Sequence, residues 1–237
     1  MQHWQTILQR DAWSLGFSLD AGQMDRFDQY LTLLVDWNTR INLTAITQPE
    51  EVAVRHFADS LTLLNSVEIP QGGGLIDVGT GAGFPGVPVK IMRPDVGLTL
   101  LDSLQKRLNF LQELLHSLEL EARRIHARAE EGGRKQELRE QFDVATARAV
   151  ASLPALCEYC LPFVKVGGVF AAMKGPGAPE ELEQSRNALR LLGGEVEDVK
   201  KFQLSDGSIR LVVVVRKISQ TPSKYPRMGA KITKAPL

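Results

Sequence analysis

A short apolar run from Leu75 to Val78 is followed by glycines at every second position: Gly79, Gly81 and Gly83. This pattern predicts a strand that enters a tight turn and then a helix. Glycine permits positive φ and lets a ligand approach bare backbone, and such a turn directs free amide N–H groups into one crevice. The stretch is therefore typical of a site for a nucleotide-like ligand.

The glycines fit two registers, which predict different cofactors. Gly81-x-Gly83-x-x-Gly86 matches the dinucleotide fingerprint, in which a pyrophosphate lies on the helix N-terminus. Asp77-x-Gly79-x-Gly81-x-Gly83 instead places a carboxylate at the strand tip, where it would repel a pyrophosphate but accept hydrogen bonds from an ammonium group. The second register resembles the first motif of S-adenosylmethionine-dependent methyltransferases. We favour it, with a nicotinamide or flavin site as the alternative.

Further polar residues follow the later predicted strands, where ligands bind in an open α/β sheet. Asp102 lies 21 residues after Gly81 and could bind both ribose hydroxyls, or it could cap the helix that follows. Ser103 and Leu104 would line the nucleoside. Ala129 and Glu130 would flank an adenine, although Glu130 could also be a first-turn helix residue. Arg148 ends the fourth strand, where a cation could face substrate or the cofactor's carboxylate.

The elements that position these residues fall into three segments. Residues 1–70 show helical periodicity, with a capping box at Asp20 and Gln23 and another at Thr47 and Glu50, and we expect a helical extension packed on the catalytic domain. Residues 71–218 alternate strand and helix, and they end in two strands joined by a short turn. Residues 219–237 form a basic tail. We predict an α/β, doubly wound Rossmann-like sheet that is mostly parallel and has an antiparallel last strand.

Some helix and strand limits are also predicted. A charged helix should run from Ala129 to about Glu140, and one unbroken helix from Pro179 to Leu192. The fifth strand should cover Val169 to Met173.

Composition limits the class of protein. The 237 residues are 43% hydrophobic, enough for one α/β core and a short accessory segment. Lys and Arg together number 28, as do Asp and Glu, so the chain is not basic overall. The apolar stretches are too short to span a bilayer and the polar start is no signal peptide, so we expect a cytoplasmic protein.

Two local features remain open. From Gly207 to Leu237 there are seven basic residues and no acidic one, which indicates either a solvated end or a segment that follows a phosphate backbone. Cys157 and Cys160 form a C-x-x-C pair within an apolar helical run, and the four histidines are scattered. We interpret the cysteines as structural and expect no metal site.

Several motifs together resemble the bacterial RsmG family, also called GidB. They are Trp37-Asn38-x-x-Ile41-Asn42-Leu43-Thr44, Arg55-His56-Phe57-x-Asp59-Ser60, Asp77 to Gly86, Leu101-Asp102-Ser103-Leu104-x-Lys106-Arg107 and Ala147-Arg148-Ala149. The resemblance implies a class I methyltransferase that uses S-adenosylmethionine to methylate N7 of a guanine in small-subunit ribosomal RNA. It also implies cofactor contacts at Gly79, Phe84, Asp102 to Leu104, Ala129, Glu130 and Arg148.

The implied reaction needs no catalytic acid or base. Guanine N7 presents an in-plane lone pair, so the enzyme must align the reactants and need not remove a proton. Thr146-Ala147-Arg148 ends the fourth strand without the Asn/Asp-Pro-Pro-aromatic signature of exocyclic-amine methylation.

The remaining polar residues are candidates for RNA contacts. We expect five cations to meet phosphate or guanine O6: Arg55, Lys106, Arg107, Arg148 and Lys174. Asn42 and His56 would form part of the wall that receives a flipped base. Alternatively, Asn42, Arg55 and Asp59 form a polar network that pins the extension to the sheet. The expected partner is small-subunit ribosomal RNA or the ribosomal subunit, with no membrane. A monomer is expected because no coiled-coil heptad is present. A small-molecule methyltransferase, a nicotinamide-dependent oxidoreductase and a non-catalytic RNA-binding protein are the alternative functions.

Overall fold

A seven-stranded sheet forms the centre of the computed structural model, which describes residues 2–237. The strand order is β3-β2-β1-β4-β5-β7-β6. Neighbouring strands from β1 to β5 pair in parallel, whereas β7 pairs antiparallel with both β5 and β6. The strands are β1 (Gly74–Val78), β2 (Gly97–Asp102), β3 (Arg123–His126), β4 (Phe142–Arg148), β5 (Val164–Lys174), β6 (Gly194–Gln203) and β7 (Ile209–Lys217). The predicted doubly wound sheet with an antiparallel last strand is confirmed.

The strand order reverses at β1, which lies between β2 and β4. Crossover connections leave on opposite faces of the sheet at such a point, so a crevice opens beyond the carboxyl ends of these strands. The glycine turn follows β1 directly and therefore lies at the mouth of this crevice.

Helices cover both faces of the sheet. They are α1 (His3–Ser14), α2 (Ala21–Asn38), α3 (Pro49–Val52), α4 (Asp59–Ser66), α5 (Gly86–Met92), α6 (Gln105–Ser117), α7 (Ala129–Gly132), α8 (Leu153–Cys160), α9 (Ala178–Gln184), α10 (Arg186–Leu192) and α11 (Gly229–Lys234). Successive residues of a strand face opposite sides, so Leu75 packs in the core layer with α1, α2, α5 and α6, and Ile76 packs in the other layer with α8 and α10.

The first four helices share the core layer of α5 and α6. Phe57 is at their centre, and its ring centroid lies 4.8 Å from that of Phe27 and 5.3 Å from that of Tyr30. The Tyr30 hydroxyl donates a 2.5 Å hydrogen bond to the carbonyl of Ala82 in the glycine turn. The helical extension therefore supports the turn directly.

The start of the third helix differs from the prediction. The Asp20–Gln23 capping box forms, with the Asp20 carboxylate 2.7 Å from the Gln23 amide. In contrast, Gln48 and not Thr47 precedes the first residue of α3, and it makes no side-chain cap. Pro49 already supplies the fixed φ and the missing N–H that suit a first helical turn. Residues Ala53–Ala58 then form a π-helical turn between α3 and α4.

Three later boundaries also differ. The helix at Ala129 ends at Gly132, because Gly132 and Gly133 follow within one turn and favour chain reversal over helix. The helix expected from Pro179 to Leu192 is divided at Ser185, whose hydroxyl bonds to the carbonyl of Glu181. Strand β5 begins at Val164, ahead of the irregular Gly167-Gly168 pair.

The basic tail is packed against the domain. Tyr225 and Ile232 are buried, and α11 contacts α8. Within residues 2–237, no helix is long and apolar enough to cross a membrane.

Candidate active site

A cavity of about 550 Å³ opens beyond the carboxyl ends of β1, β2 and β4; we call it the first cavity. It extends from the glycine turn, past the end of β2, to α7 and the tail. Its wall includes Val78, Gly79, Asp102, Ser103, Arg107, Ala129, Glu130, Val150, Tyr159, Thr233 and Pro236.

The glycine turn is fixed to β2 by its own backbone. The amides of Gly79 and Thr80 both donate to the carbonyl of Leu101, at 2.8 and 3.1 Å. Gly79 has φ +70°, and a Cβ on it would lie 2.7 Å from Cγ2 of Val150. Only glycine combines this conformation with this approach, so the turn presents bare backbone to the cavity.

Asp102 connects the end of β2 to the glycine turn. One carboxylate oxygen accepts the Gly81 amide and the other accepts the Leu104 amide, each at 2.9 Å. Arg107 lies 3.4 Å from the first of these oxygens. Leu104 directly precedes α6, so its bond to Asp102 partly confirms the alternative prediction that Asp102 caps this helix. The oxygen that accepts the Leu104 amide keeps a second lone pair, whereas the other oxygen also accepts from Arg107, and the residue lines the first cavity.

Asp77 does not line the first cavity, contrary to the position that the glycine motif predicts for it. Its side chain is 0% exposed, and one oxygen accepts the Thr80 hydroxyl at 2.7 Å and the Gly86 amide at 2.9 Å. The other oxygen has no hydrogen-bond partner. The two-residue period of a strand explains this position, since Asp77 shares the face of Leu75. Asp77 thus holds the turn in shape from beneath.

Some of the other predicted cofactor residues line the first cavity, and others lie outside its wall. Ser103, Ala129 and Glu130 line the first cavity. Leu104 is 40% exposed beside it, and Gly81 and Gly83 are turn residues outside the wall. A Cβ on Gly83 would lie 2.7 Å from the Tyr30 hydroxyl, so Gly83 faces the extension.

Phe84 was predicted to contact the cofactor, but the structure places it in the core. Its ring stacks on Tyr30 at 5.1 Å and on His56 at 4.5 Å between centroids. The helical extension covers this ring and removes it from the first cavity. Phe84 therefore packs the extension against the glycine turn.

A second cavity of about 400 Å³ adjoins the first, and both are lined by Ala149. Ala149 has φ +57°, a conformation that costs energy for a residue with a Cβ and is often found at functional sites. The second cavity is rich in charged groups. Its wall includes Arg55, His56, Asp59, Thr62, Arg148, Lys174, Glu181 and Arg210.

Arg148 lies in the second cavity and not in the first. Its guanidinium donates to the Asp59 carboxylate at 2.7 Å and to the Arg55 carbonyl at 3.1 Å. The side chain is 14% exposed, and Asp59 is buried. Arg210 lies 3.5 Å from the remaining Asp59 oxygen, which has no hydrogen bond. Two arginines thus share one buried carboxylate, which leaves a net positive charge.

His56 is a packed, neutral histidine. Burial, followed by the charge of Arg148, lowers the pKa of His56 to about 3. Its Nδ1 lies 3.2 Å from Nη2 of Arg148, and its Nε2 lies 2.8 Å from the Thr44 hydroxyl. Nδ1 also lies 3.1 Å from the carbonyl of Arg55, which would accept a proton from it, whereas Arg148 would donate one to it. Both ring nitrogens are therefore occupied.

The remaining predicted RNA contacts are only partly brought together. Lys174 lines the second cavity and pairs with Glu181 at 2.7 Å, and Arg55 pairs with Asp206 at 2.6 Å. Arg107 instead lines the first cavity. Asn42 and Lys106 are exposed and line neither of the two cavities.

Several wall residues were missed by the sequence analysis. Arg210 interrupts the apolar start of β7, and this break was the one signal that could have revealed it. Tyr159 lies within an apolar helix, and Thr233 and Pro236 lie in the tail, where no motif marks them. Among residues 2–237, no three His, Cys, Asp or Glu side chains group as a metal site requires.

Comparison with known families agrees with this geometry. The family model of rRNA small subunit methyltransferase G matches residues 23–210. The chain belongs to this family. A "Ribosomal RNA small subunit methyltransferase G" of Acetivibrio thermocellus is 50% identical over 233 residues, covering 98% of this chain and 96% of that protein. One of Alkaliphilus metalliredigens is 49% identical, covering 98% of each chain.

A solved structure agrees at the level of the fold. An S-adenosylmethionine-dependent methyltransferase from Aquifex aeolicus superposes with a TM-score of 0.53 at 20% identity, covering 72% of this chain and 94% of the other. The family found here is the one that the sequence motifs resemble. Members of the rRNA small subunit methyltransferase G family are S-adenosylmethionine-dependent enzymes, so the predicted enzyme class and cofactor are confirmed.

Proposed function

We propose that this methyltransferase transfers the methyl group of S-adenosylmethionine to N7 of a guanine in small-subunit ribosomal RNA. One observation carries the proposal. The first cavity, built around the glycine turn, adjoins the second cavity at Ala149. The second cavity is cationic: its histidine is neutral, and both of its lining carboxylates, those of Asp59 and Glu181, are ion-paired.

The first cavity fits a nucleoside linked to an amino acid. The bare backbone at Gly79 would receive the amino-acid end, Asp102 the ribose hydroxyls, and Ala129 with Glu130 the adenine edge. Ala129 is the first residue of α7, so its amide has no partner within the helix. When bound, the cofactor supplies a methyl group on a sulfonium; the protein supplies its orientation.

The second cavity provides no group that would remove a proton. Asp59 faces two arginines, and the Glu181 oxygen that pairs with Lys174 also accepts the Leu153 amide at 2.5 Å. Cys157 is fully buried, and burial raises the pKa of its thiol to about 12. Such a site suits an acceptor that already has a free lone pair, as guanine N7 does.

The charge of the second cavity favours RNA as its ligand. Arg55, Arg148, Lys174 and Arg210 surround it, whereas the chain as a whole is neutral. Cations of this kind bind phosphates or guanine O6. A guanine displaced from its stack would enter this cavity and turn N7 toward Ala149.

The cofactor assignment is tested by calorimetric titration with S-adenosylhomocysteine. Asp102→Ala should weaken binding about tenfold or more, since it removes the ribose partner. Asp143→Ala is the matched control, because Asp143 also accepts a backbone amide at a strand end, that of Gly74, but at the amino-terminal ends of β1 and β4, away from the first cavity. Equal affinity of the wild type and Asp102→Ala would contradict the assignment.

The site of methylation is tested on the RNA product. Purified protein and labelled S-adenosylmethionine should transfer label to small-subunit RNA or to the subunit. Borohydride reduction followed by aniline should then cleave the RNA at one labelled guanine, because N7 methylation makes the ring labile. Label on an exocyclic amine, on N1 or on a ribose would refute the N7 proposal and leave the methyltransferase assignment standing.

A further inference from the structure

The C-terminal tail, residues 219–237, forms part of the wall of the first cavity. Thr233, in the last turn of α11, and Pro236 both line it. The start of α11 lies against α7, since a Cβ on Gly229 would collide with the Glu130 carboxylate, and Thr233 follows Gly229 by one helical turn and donates to its carbonyl. Gly79 lines the same cavity at the glycine turn.

Buried ionic contacts hold the tail in place. Arg227 forms a two-pronged pair with Glu158 of α8, with Nε 3.0 Å from Oε1 and Nη2 2.7 Å from Oε2. The Arg227 amide donates to the same carboxylate at 2.7 Å, and Glu158 is 0% exposed. A buried carboxylate needs such complete pairing, so the tail position is strongly specified.

Further anchors lie on both sides of this pair. Arg139 donates to the carbonyl of Thr221 at 2.6 Å and to that of Tyr225 at 2.9 Å. Ile232, one residue before Thr233, is fully buried, and Leu237 packs on the core layer that contains α8. The chain is therefore fixed before and after the two residues that face the cavity.

We infer that this tail is a positioning element of the cofactor site, in which Thr233 and Pro236 close the adenine end of the first cavity. The inference rests on the proposed cofactor site. The methyl and hydroxyl groups of Thr233 and the pyrrolidine ring of Pro236 would exclude water beside the base and limit how far the base can move. The tail would thus act on the nucleoside part of the ligand and not on its amino-acid part.

The test is a bulky substitution at the wall. Thr233→Trp adds an indole at an exposed position on α11 and removes no buried contact. Ala230→Trp is the control, because Ala230 is exposed on the same helix and does not line the cavity. Both variants and wild type are titrated with S-adenosylhomocysteine and with 5′-methylthioadenosine, which lacks the amino-acid end.

Thr233→Trp should lower the affinity for both compounds by the same factor, about tenfold or more. Ala230→Trp should bind both compounds with the affinity of the wild type. A protein lacking residues 229–237 should show the same parallel loss, provided that its melting curve shows that it is folded. Wild-type affinity in Thr233→Trp would overturn the inference, and so would a loss confined to S-adenosylhomocysteine. If the wild type binds neither compound, the proposed cofactor site itself fails, and the tail inference fails with it.

Discussion

Asp77 carries an ionisable group where solvent cannot reach it. Desolvation by burial raises the pKa of this carboxyl to about 6, although hydrogen bonds from Thr80 and Gly86 act in the opposite direction. Between pH 4 and 6, roughly, the folded protein keeps a proton that the unfolded chain releases. The free energy of unfolding therefore falls as pH rises through this window, and ionised Asp77 costs stability at neutral pH.

Asp77→Asn should remove this pH dependence. The amide oxygen can still accept from Thr80 and Gly86, and the variant has no charge to bury. Its free energy of unfolding relative to wild type should rise by about 2 kcal/mol between pH 4.5 and 7.5. Urea unfolding at both pH values measures this difference. If the difference in free energy of unfolding between variant and wild type does not change with pH, the pKa of Asp77 is not raised in the folded protein.

Arg148 and Asp59 form the buried ion pair of the second cavity. Arg148→Gln would leave the Asp59 carboxylate with Arg210 alone, at 3.5 Å. Removing one partner of a buried pair typically costs about 3 kcal/mol or more, so the variant should be clearly destabilised.

Adding Asp59→Asn to Arg148→Gln should recover most of the lost stability, because it removes the unpaired charge. Methyl transfer should remain defective, since the cation that faces the second cavity is still absent. Denaturant unfolding and transfer of labelled methyl separate these two effects. Recovery of transfer in the double variant would mean that Arg148 acts only on the fold.

At the scale of elements, α2 and the glycine turn are joined by one hydrogen bond from Tyr30 to Ala82. Burial raises the pKa of Tyr30 well above its usual range, so the hydroxyl keeps its proton and donates. The extension is thus part of the site: it fixes the turn from one side while β2 fixes it from the other.

Tyr30→Phe should lower the free energy of unfolding by about 1–2 kcal/mol, because the buried Ala82 carbonyl loses its partner. The matched control is Tyr159→Phe, since the Tyr159 hydroxyl makes no hydrogen bond to residues 2–237. Urea unfolding of the three proteins checks the prediction. Equal losses in both variants would contradict the role of the Tyr30 hydroxyl.

At the scale of the whole molecule, the positive charge is concentrated at the second cavity although the chain is neutral overall. The chain has 28 basic and 28 acidic residues, yet four cations line the second cavity. RNA binding should therefore depend on salt through a few contacts at this cavity and not through a general basic surface.

Arg55→Ala should reduce the slope of log affinity against log salt by about 1 for small-subunit RNA, with no change in S-adenosylhomocysteine affinity. Arg186→Ala is the control, because Arg186 is also an exposed arginine paired with a carboxylate, that of Glu183, but does not line the cavity. Filter binding at several salt concentrations measures the slopes. Equal slopes for the two variants would place the RNA elsewhere.

Prediction from the sequence was most successful where the information is local. The sheet, its antiparallel last strand and the positions of Gly79, Asp102, Ala129 and Glu130 followed from periodicity and strand ends. The partners of Phe84 and Arg148 could not be predicted in this way, because they come from the helical extension: Arg148 and Asp59 are 89 residues apart in the chain.

The sequence by itself determined which residues end the strands, because hydrophobic period and glycine placement are properties of neighbouring residues. Only the tertiary structure decided which cavity each side chain enters. It gave Arg148 to the second cavity, and it brought the tail back to the first cavity through the pair of Arg227 with Glu158, 69 residues earlier. Such positions depend on packing between distant segments, which no local pattern encodes.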